Sequence, residues 1–267
     1  MKKKICFLFL LFIGTIALPA QGTFQPKRID NTPVGIIYDR EFTFDIRLHT
    51  YGLALGVNFG RIKTYYRTRF YQFEIGELKH TKENRQSFDY HTGINGRSSR
   101  SFIFGKRNSF FALRAAMGEK RYLTQKAKDR GLSAGYSYSF GPTLGILKPY
   151  YLEVYRQNID NDNFLSTEKY SEANADVFLD ESNIFGAASF SRGLKEISLR
   201  PGFHLKAGVH LDWGAFDEFV KALEAGFMLD VFIRKVPILV ENSDILNAEN
   251  RPFFLNLYIN IQLGKRW

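Results

Sequence analysis

The sequence predicts an all-β protein: an antiparallel transmembrane β-barrel of about ten strands, with eight to twelve possible. Three observations lead to this prediction: an export signal at the N-terminus, alternation of apolar and polar residues through most of the chain, and connections that are alternately short and long. Bacterial outer-membrane barrels combine an apolar outer face, a polar interior, short periplasmic turns and longer outer loops. We therefore expect the protein to lie in the outer membrane.

The N-terminus has the three parts of a secretory signal peptide. Lysines at positions 2–4 precede an apolar run at 5–18, which is too short for an ordinary transmembrane helix, and Ala20 offers a small residue for cleavage. The single cysteine, Cys6, lies inside this segment, so the mature chain is predicted to contain no disulfide and no cysteine-based metal site. The predicted organisation is a signal peptide at 1–20, a short periplasmic leader at 21–34 and the barrel at 35–267.

Composition and charge narrow the range of partners. The formal net charge of +10 falls to +7 once the three lysines of the signal are removed, and 16% of the residues are aromatic. Aromatic residues are frequent in strands and at membrane interfaces. A basic exported chain is expected to contact the phosphates of outer-membrane lipid and lipopolysaccharide, and nucleic acid is not an expected partner.

The last stretch of the chain, 253–267, carries the clearest strand pattern. Residues of one parity are continuously apolar, whereas Asn256, Asn260 and Gln262 lie on the other parity. Because side chains alternate across a strand, one face would meet lipid and the other the barrel interior; an edge strand of a soluble sandwich is the alternative. The residues of this C-terminal strand signal are Phe253, Leu255, Leu257, Tyr258, Ile259, Ile261, Leu263 and Trp267.

The connections between the predicted strands alternate in length, as expected for a barrel with a periplasmic N-terminus. The strand alternation is strictest in Phe42–His49 and Leu132–Phe140. The predicted total also includes a short strand at Phe102–Lys106. Short periplasmic turns are predicted around Ile62, Asn108, Pro142 and Ala215, and outer connections at Thr50, Lys79–Arg100, Thr124–Arg130, Arg156–Arg200 and Val236–Asn250.

A mixed set of charged side chains falls on the inward parity of the predicted strands. In a narrow barrel the interior is largely filled by side chains, so we expect opposite charges to pair into a plug; a narrow selective pore is the alternative. His204 and His210 lie on one strand face about 20 Å apart and cannot share a metal ion. The predicted lumen charge network is Asp45, Arg47, His49, Arg114, His204, Lys206, His210, Asp212, Glu224, Asp230 and Arg234.

The sequence suggests no catalytic or cofactor site. Outer-membrane proteases of the omptin type need acidic residues and a histidine near the outer rim. Asp45 and His49 lie on a suitable strand, but no second pair of acid and histidine clearly joins them. A serine-centred hydrolase motif is not visible either. We predict that the chain is not an enzyme and holds no cofactor or metal.

The predicted outer loops differ in charge. An acidic stretch at 156–181 has a net charge of −5. It includes Asp160–Phe164, which begins like a calcium-binding loop but lacks the required glycine and distal glutamate, so we expect a solvated loop. The basic loop at 79–100 has a net charge of +3 and is expected to meet lipopolysaccharide phosphates; its basic residues are Lys79, Lys82, Arg85, Arg97 and Arg100.

Together with the signal peptide and the alternating strands, the ending Phe253–Tyr258 and Gly264–Trp267 resembles that of outer-membrane β-barrel proteins of Bacteroidota, among them small porin-like barrels. The resemblance implies insertion by the barrel-assembly machinery and carries over no catalytic set. Some small barrels of this group resemble accessory parts of secretion or barrel-assembly machines. Two hypotheses follow: a non-enzymatic structural or accessory component of an envelope complex, with an envelope protein as partner, or a narrow porin-like channel for small solutes or ions.

Overall fold

The computed structural model describes residues 38–87, 99–124, 132–157, 163–214, 217–241 and 247–267, so the predicted signal peptide and leader lie outside the described residues. No helix in the described part of the chain is long and apolar enough to cross a membrane. In chain order the strands are β1 (Arg40–His49), β2 (Gly52–Thr64), β3 (Arg67–Glu77), β4 (Arg85–Gln86), β5 (Phe102–Ile103), β6 (Asn108–Tyr122), β7 (Ser133–Pro149), β8 (Tyr151–Gln157), β9 (Asn163–Lys169), β10 (Ile184–Ala187), β11 (Ser198–Asp212), β12 (Phe219–Phe232) and β13 (Phe253–Arg266).

Eight of these strands close into a barrel in the order β1, β2, β3, β6, β7, β11, β12 and β13. Each pairs antiparallel with its neighbour, and β13 returns to pair with β1, where Phe44 lies opposite Leu263 and Ile46 opposite Ile261. Closure leaves the barrel without an open edge, which matters in lipid because every backbone polar group there must be paired within the protein.

Side-chain alternation gives the barrel an apolar exterior and a polar interior. In β13, Leu257 is 71% exposed and Ile259 is 54% exposed, whereas Asn256 and Asn260 are fully buried. In water, each large apolar side chain left exposed forgoes about 1.5–3 kcal/mol of burial, whereas lipid accepts such a surface. The exterior is therefore the lipid-facing surface of a membrane-spanning barrel of the outer-membrane type.

The barrel has eight strands rather than about ten for two reasons: one predicted strand lies outside the barrel, and two predicted strands are a single strand. Phe102–Lys106 supplies only β5, which pairs with β4 outside the barrel. Asn108 is not a turn but the first residue of β6. The predicted turn at Pro142 lies inside the single long strand β7, which joins two predicted strands into one.

Pro142 is accommodated in β7 by a local gap in the ladder with β6. The cross-strand pairs are Arg114 with Thr143 and Met117 with Phe140, and the positions between them are unpaired. Proline has no N–H to donate, so the ladder is interrupted where it faces β6, but pairing resumes in the same register. The proline therefore weakens the strand locally without ending it.

The long connections gather at one end of the barrel. They are the connections 78–107, 150–197 and 233–252, with the short turn at 50–51 at the same end. The other end carries the connections 65–66, 123–132 and 213–218, all shorter than the long three, which identifies it as periplasmic. The prediction that Thr124–Arg130 faces outward is therefore wrong, because one spurious strand before it inverted its side; residues 125–131 themselves lie outside the described residues.

The outer connections carry ordered structure. The stretch Arg156–Arg200, predicted as one long connection, contains β9, β10 and a short helix at Ala175–Phe178, and β8 pairs with both strands. This outer sheet has its own apolar core of Phe102, Leu152, Val154, Phe178, Leu179, Ile184 and Val240. A second cluster lies at the outer end of the barrel strands and consists of Leu78, Phe110, Ala112, Leu147, Phe232, Val236, Ile238 and Phe254.

Candidate functional site

The barrel lumen holds most of the charged side chains that the sequence assigns to it. Inward parity on four strands, β1, β6, β11 and β12, places them there. Because an unpaired buried charge is costly, the lumen is stable only if these charges are paired. Arg234 is the exception: it is exposed and follows the end of β12, so its assignment to the lumen is wrong. The ten buried members are Asp45, Arg47, His49, Arg114, His204, Lys206, His210, Asp212, Glu224 and Asp230.

Arg114 is the centre of an ion-paired chain across the barrel. Its Nε and Nη2 donate to the two carboxylate oxygens of Asp230 at 2.9 and 2.8 Å, and its Nη1 donates to Glu74 at 2.6 Å. Glu74 also pairs with Arg47. His204 Nδ1 lies 2.9 Å from Asp230 on the other side. Five strands are joined by this chain, and Arg114 makes the planar bidentate contact for which a guanidinium is suited.

Asp45 is held mainly by neutral donors. Asn58 donates to one carboxylate oxygen at 2.8 Å. The other oxygen accepts from Gln72 and Asn260 at 3.0 Å each and from Gln262 at 3.3 Å. Four amides from three strands therefore replace the hydrogen bonds to water that this carboxylate loses on burial.

Glu224 forms a second charged group against an aromatic wall. Lys206 Nζ lies 3.1 Å from its Oε1, and the Tyr258 hydroxyl donates to the same oxygen at 2.5 Å. His210 Nδ1 is 3.7 Å from the other oxygen. The Lys206 ammonium also lies 5.7 Å from the centre of the Tyr258 ring, within the range of a cation–π contact.

The periplasmic end of the lumen is closed by ion pairs. Arg266 donates to Glu41 at 2.9 Å and to Asp212 at 2.8 Å. Lys120 donates to Glu41 at 2.9 Å, and the Tyr122 hydroxyl donates to Asp212 at 2.9 Å. We call this set of Arg266, Glu41, Asp212, Lys120 and Tyr122 the periplasmic ion cluster.

The outer end of the lumen is closed by aromatic rings instead. The ring centres of Phe110 and Phe232 are 5.1 Å apart, and Phe254 lies 5.8 Å from the first and 6.1 Å from the second. All three are at least 90% buried. We call these three residues the phenylalanine cap; it separates the charged interior from the outer sheet.

The lumen is close to electrical balance among the described residues. It contains the carboxylates of Glu41, Asp45, Glu74, Asp212, Glu224 and Asp230 against the cations of Arg47, Arg114, Lys120, Lys206 and Arg266, with three histidines besides. Glu41, Glu74, Lys120 and Arg266 were not among the predicted network. Their inward parity could have identified them, because each lies an even number of residues from a predicted lumen residue or lumen amide on its own strand.

The histidines of the lumen contact different carboxylates: His204 lies against Asp230 and His210 against Glu224. No group of three or more His, Cys, Asp and Glu side chains that could hold a metal ion occurs in the described part of the chain. The acidic residues of the calcium-like stretch, Asp160 and Asp162, lie outside the described residues.

The described residues of the basic outer loop make separate contacts. Lys79 Nζ lies 3.3 Å from Glu77, the Lys82 ammonium donates to the carbonyl of Asn247, and Arg85 lies on β4. Arg100 approaches the outer sheet through its backbone, accepting a hydrogen bond from Ala187 at 3.2 Å. Arg97 lies outside the described residues.

The outer sheet is fixed by a bidentate pair. Arg156 on β8 donates to both carboxylate oxygens of Glu168 on β9, at 2.9 and 2.8 Å. These hydrogen bonds favour the charged carboxylate and lower the pKa of Glu168 to about 2. The two strands are thereby locked in register at the point where they stand clear of the membrane.

Neither a family model nor a curated protein matches the chain. Among solved structures it is similar to the N-terminal β-barrel domain of Pseudomonas aeruginosa OprF, at 9% identity over 86% of this chain and 98% of that one, with a TM-score of 0.33. It is also similar to Ail, the attachment invasion locus protein of Yersinia pestis, at 6% identity over 86% and 95% of the two chains, with a TM-score of 0.34. It is similar as well to Neisserial surface protein A, at 6% identity over 86% of this chain and 95% of that one, with a TM-score of 0.33.

Proposed function

We propose that the chain is a non-enzymatic, non-conducting outer-membrane barrel that serves as a structural or accessory component of an envelope complex, of the secretion or barrel-assembly type. In this proposal the barrel anchors the protein in the membrane, and the outer sheet of β8, β9 and β10 carries the contact with an envelope protein. The observation that carries the proposal is the filled lumen, closed at one end by ion pairs and at the other by aromatic rings.

The packing of the lumen opposes conduction. A solute passing through would have to separate Arg114 from Asp230 and Glu74, and each buried charge left without its partner is costly. It would also have to displace the phenylalanine cap, where Phe110 is 1% exposed. An eight-stranded barrel has an interior just wide enough for side chains to fill it. The proposal therefore places the functional contacts of this protein on its outer surface.

The outer sheet offers a surface for a partner. Its order is β10, β8, β9, so β9 is an edge strand, and no strand in the described part of the chain pairs with its outer side. Such an edge can pair with a strand of another protein. Phe164 on β9 is 49% exposed, an anchor of the kind that binding surfaces use. Because Arg156 and Glu168 fix β9 to β8, the edge is presented in a defined position.

The test is capture of a partner from the native membrane. The tagged full-length protein is extracted gently at native abundance after brief cross-linking, and the material that accompanies it is quantified by mass spectrometry. A stoichiometric envelope protein that cross-links to β9 is the expected result. Phe164→Ser should reduce its recovery at least fivefold, whereas Thr167→Ala, at an exposed position on the same strand, should not. Recovery of the barrel alone would contradict the proposal.

A narrow channel is the second candidate, and one observation favours it. Among the described residues, the buried hydroxyls of Ser133, Ser137 and Ser139 on β7 have no hydrogen-bond partner, and neither nitrogen of His210 on the neighbouring strand is within hydrogen-bond distance of one. Groups of this kind are usually satisfied by ordered water, so a thin hydrated path could follow β7. Purified protein in a planar bilayer should give no conductance under the first proposal. A steady conductance that falls in Ser137→Val would favour the channel.

A further inference from the structure

Basic side chains gather on one side of the barrel exterior near its periplasmic end. Arg40 on β1 lies opposite Arg61 on β2, and Arg61 lies opposite Arg69 on β3, so three arginines form one row across three strands. All three are exposed. Like charges directly opposite each other are destabilising in a sheet, so this row needs an anion to be favourable.

The described residues bring only one carboxylate into ion pairs with the arginines of this face. Glu119 on β6 lies opposite Arg69 at 3.5 Å, but it makes closer contacts of 2.6 Å with Arg67 and with Arg121. One carboxylate is thus shared by three arginines. Within the described residues, Arg40 and Arg61 form no ion pair. The basic face is defined by Arg40, Arg61, Arg67, Arg69 and Arg121 around Glu119.

An apolar groove begins directly above the basic face, toward the membrane centre. Tyr71 and Met117 occupy the next outward positions after Arg69 and Glu119 on their strands. The groove encloses about 350 Å³ and runs on between Phe73, Ala115 and Pro142. Those three residues also line a second groove of about 710 Å³, which extends it along the barrel wall. The small side chain of Ala115 and the ring of Pro142 leave this space between the larger side chains around them.

The dimensions match one leaflet of a bilayer. Six residues separate Ala115 from Arg121, which is roughly 20 Å along the strand and roughly 15 Å along the membrane normal at the usual strand tilt. The hydrocarbon core is about 30 Å thick, so this distance is about half of it. An acyl chain lying in the groove would therefore bring its phosphate to the basic face.

We propose that the groove and the basic face together form a binding site for an anionic phospholipid of the periplasmic leaflet. The acyl chain lies between Phe73, Ala115 and Pro142, and the phosphodiester accepts hydrogen bonds from Arg61 and Arg69. A zwitterionic phospholipid brings its own ammonium to a face that already has excess positive charge, so the site selects headgroups with net negative charge. The site rests on the position of the barrel in the membrane and not on the proposed protein partner.

The first test measures lipid retention by the purified full-length protein. The protein in detergent is mixed with equal amounts of phosphatidylglycerol and phosphatidylethanolamine of matched chains, and bound lipid is counted by native mass spectrometry. The wild type should retain phosphatidylglycerol preferentially. Arg61→Gln with Arg69→Gln should weaken this retention about 25-fold, since each basic residue near an anionic headgroup contributes about fivefold. Equal retention of the two lipids by the wild type would overturn the proposal.

Two controls separate the site from general attraction and from misfolding. Lys221→Gln removes an exposed cation on β12, on the opposite side of the barrel, and should leave retention unchanged. Arg61→Lys with Arg69→Lys keeps the charge and should retain most of the binding. The heat-dependent gel mobility of a closed barrel should be the same in all variants. Loss of binding in Lys221→Gln as large as in the double glutamine variant would contradict a localised site.

The second test addresses the groove without changing any charge. Ala115→Phe fills the space beside Pro142 on the lipid-facing surface, where a larger side chain meets lipid rather than a packed core. It should reduce phosphatidylglycerol retention at least fivefold while the basic face stays intact. Unchanged retention in Ala115→Phe would overturn the assignment of the acyl chain to this groove.

Discussion

The two ends of the barrel are closed by opposite chemistry. At the outer end the phenylalanine cap packs Phe110 against Phe232 and Phe254, with ring centres 5.1 and 5.8 Å apart. At the periplasmic end Arg266 bridges Glu41 and Asp212 at 2.9 and 2.8 Å. Apolar packing is tolerant of small rearrangement, whereas ion pairs fix geometry and are costly to break one at a time. The cap therefore excludes water, and the periplasmic ion cluster fixes the relative position of the strands.

Among single substitutions, the largest loss of folding stability is expected in the middle of the lumen, between the two closed ends, where the ionic network is most enclosed. Arg114→Ala leaves Glu74 and Asp230 buried without their shared cation and should lower the free energy of unfolding by about 4 kcal/mol. This loss is measured by urea-induced unfolding of the wild type and the variant, each folded in lipid vesicles. Arg69→Ala, at an exposed pair 3.5 Å long, should cost less than about 1 kcal/mol. Similar costs for the two variants would mean that the lumen network is not the main stabilising element.

The cap should give the next largest effect. Phe110→Ala removes a ring that is 1% exposed and should lower the free energy of unfolding by about 3 kcal/mol, measured in the same urea titration. The matched control is Phe111→Ala, whose neighbouring ring points to the lipid side and should cost much less. A cost for Phe110→Ala that depends strongly on salt would contradict an apolar closure.

Loss of the ionic closure should cost somewhat less than loss of the cap. Arg266→Gln removes the bridge between Glu41 and Asp212, but Lys120 and Tyr122 still satisfy one oxygen of each, so about 2 kcal/mol is expected. Lys265→Gln breaks an exposed pair with Glu218 and should cost under about 1 kcal/mol. Equal costs at positions 265 and 266 would show that burial of the ion cluster contributes nothing.

The smallest change in stability is expected outside the barrel, where the outer sheet loses its bidentate pair at low pH. The pKa of Glu168 is about 2 in the folded sheet against an ordinary value of 4.5, so its contribution is present above about pH 4.5 and is lost as the pH falls toward 2. The contribution should be under about 1 kcal/mol because the pair is partly exposed. The protection factors of the β9 amides, which correct exchange for its intrinsic pH dependence, should fall as the pH is lowered through this range. Glu168→Gln should abolish that pH dependence, and Glu153→Gln on β8 should preserve it.

The inside–outside assignment of the barrel could be predicted from the sequence because it depends only on parity. Phe253 and Leu255 face outward and Asn256 inward, as alternation requires. The strand number could not be predicted, because a proline usually ends a strand and Pro142 does not. The ladder on that side of β7 lacks two pairs and continues in register, which only the neighbouring strand reveals. Arg234 was misplaced because the alternation was extended beyond the end of β12.

Partners within the lumen could not be predicted from the sequence at all. Arg114 and Asp230 are 116 residues apart, and Arg266 and Glu41 are 225 residues apart. Which charges meet depends on strand register and on the stagger of the barrel, neither of which alternation specifies. The sequence indicated charges of both signs in one interior, and the geometry decides which of them form pairs.

The pairing of β1 with β13 makes the barrel a ring with one seam, and Asp45 lies on it. Two of the amides that hold its carboxylate, Asn260 and Gln262, come from β13, and the other two, Asn58 and Gln72, come from β2 and β3. An unsealed ring would leave this carboxylate with half of its amide donors and two strands with unpaired edges in lipid. The seam joins positions more than 200 residues apart in the sequence. Contacts between such distant positions form slowly, because a long loop must be closed first. The set of four amide donors around Asp45 is thus complete only when β1 and β13 have paired.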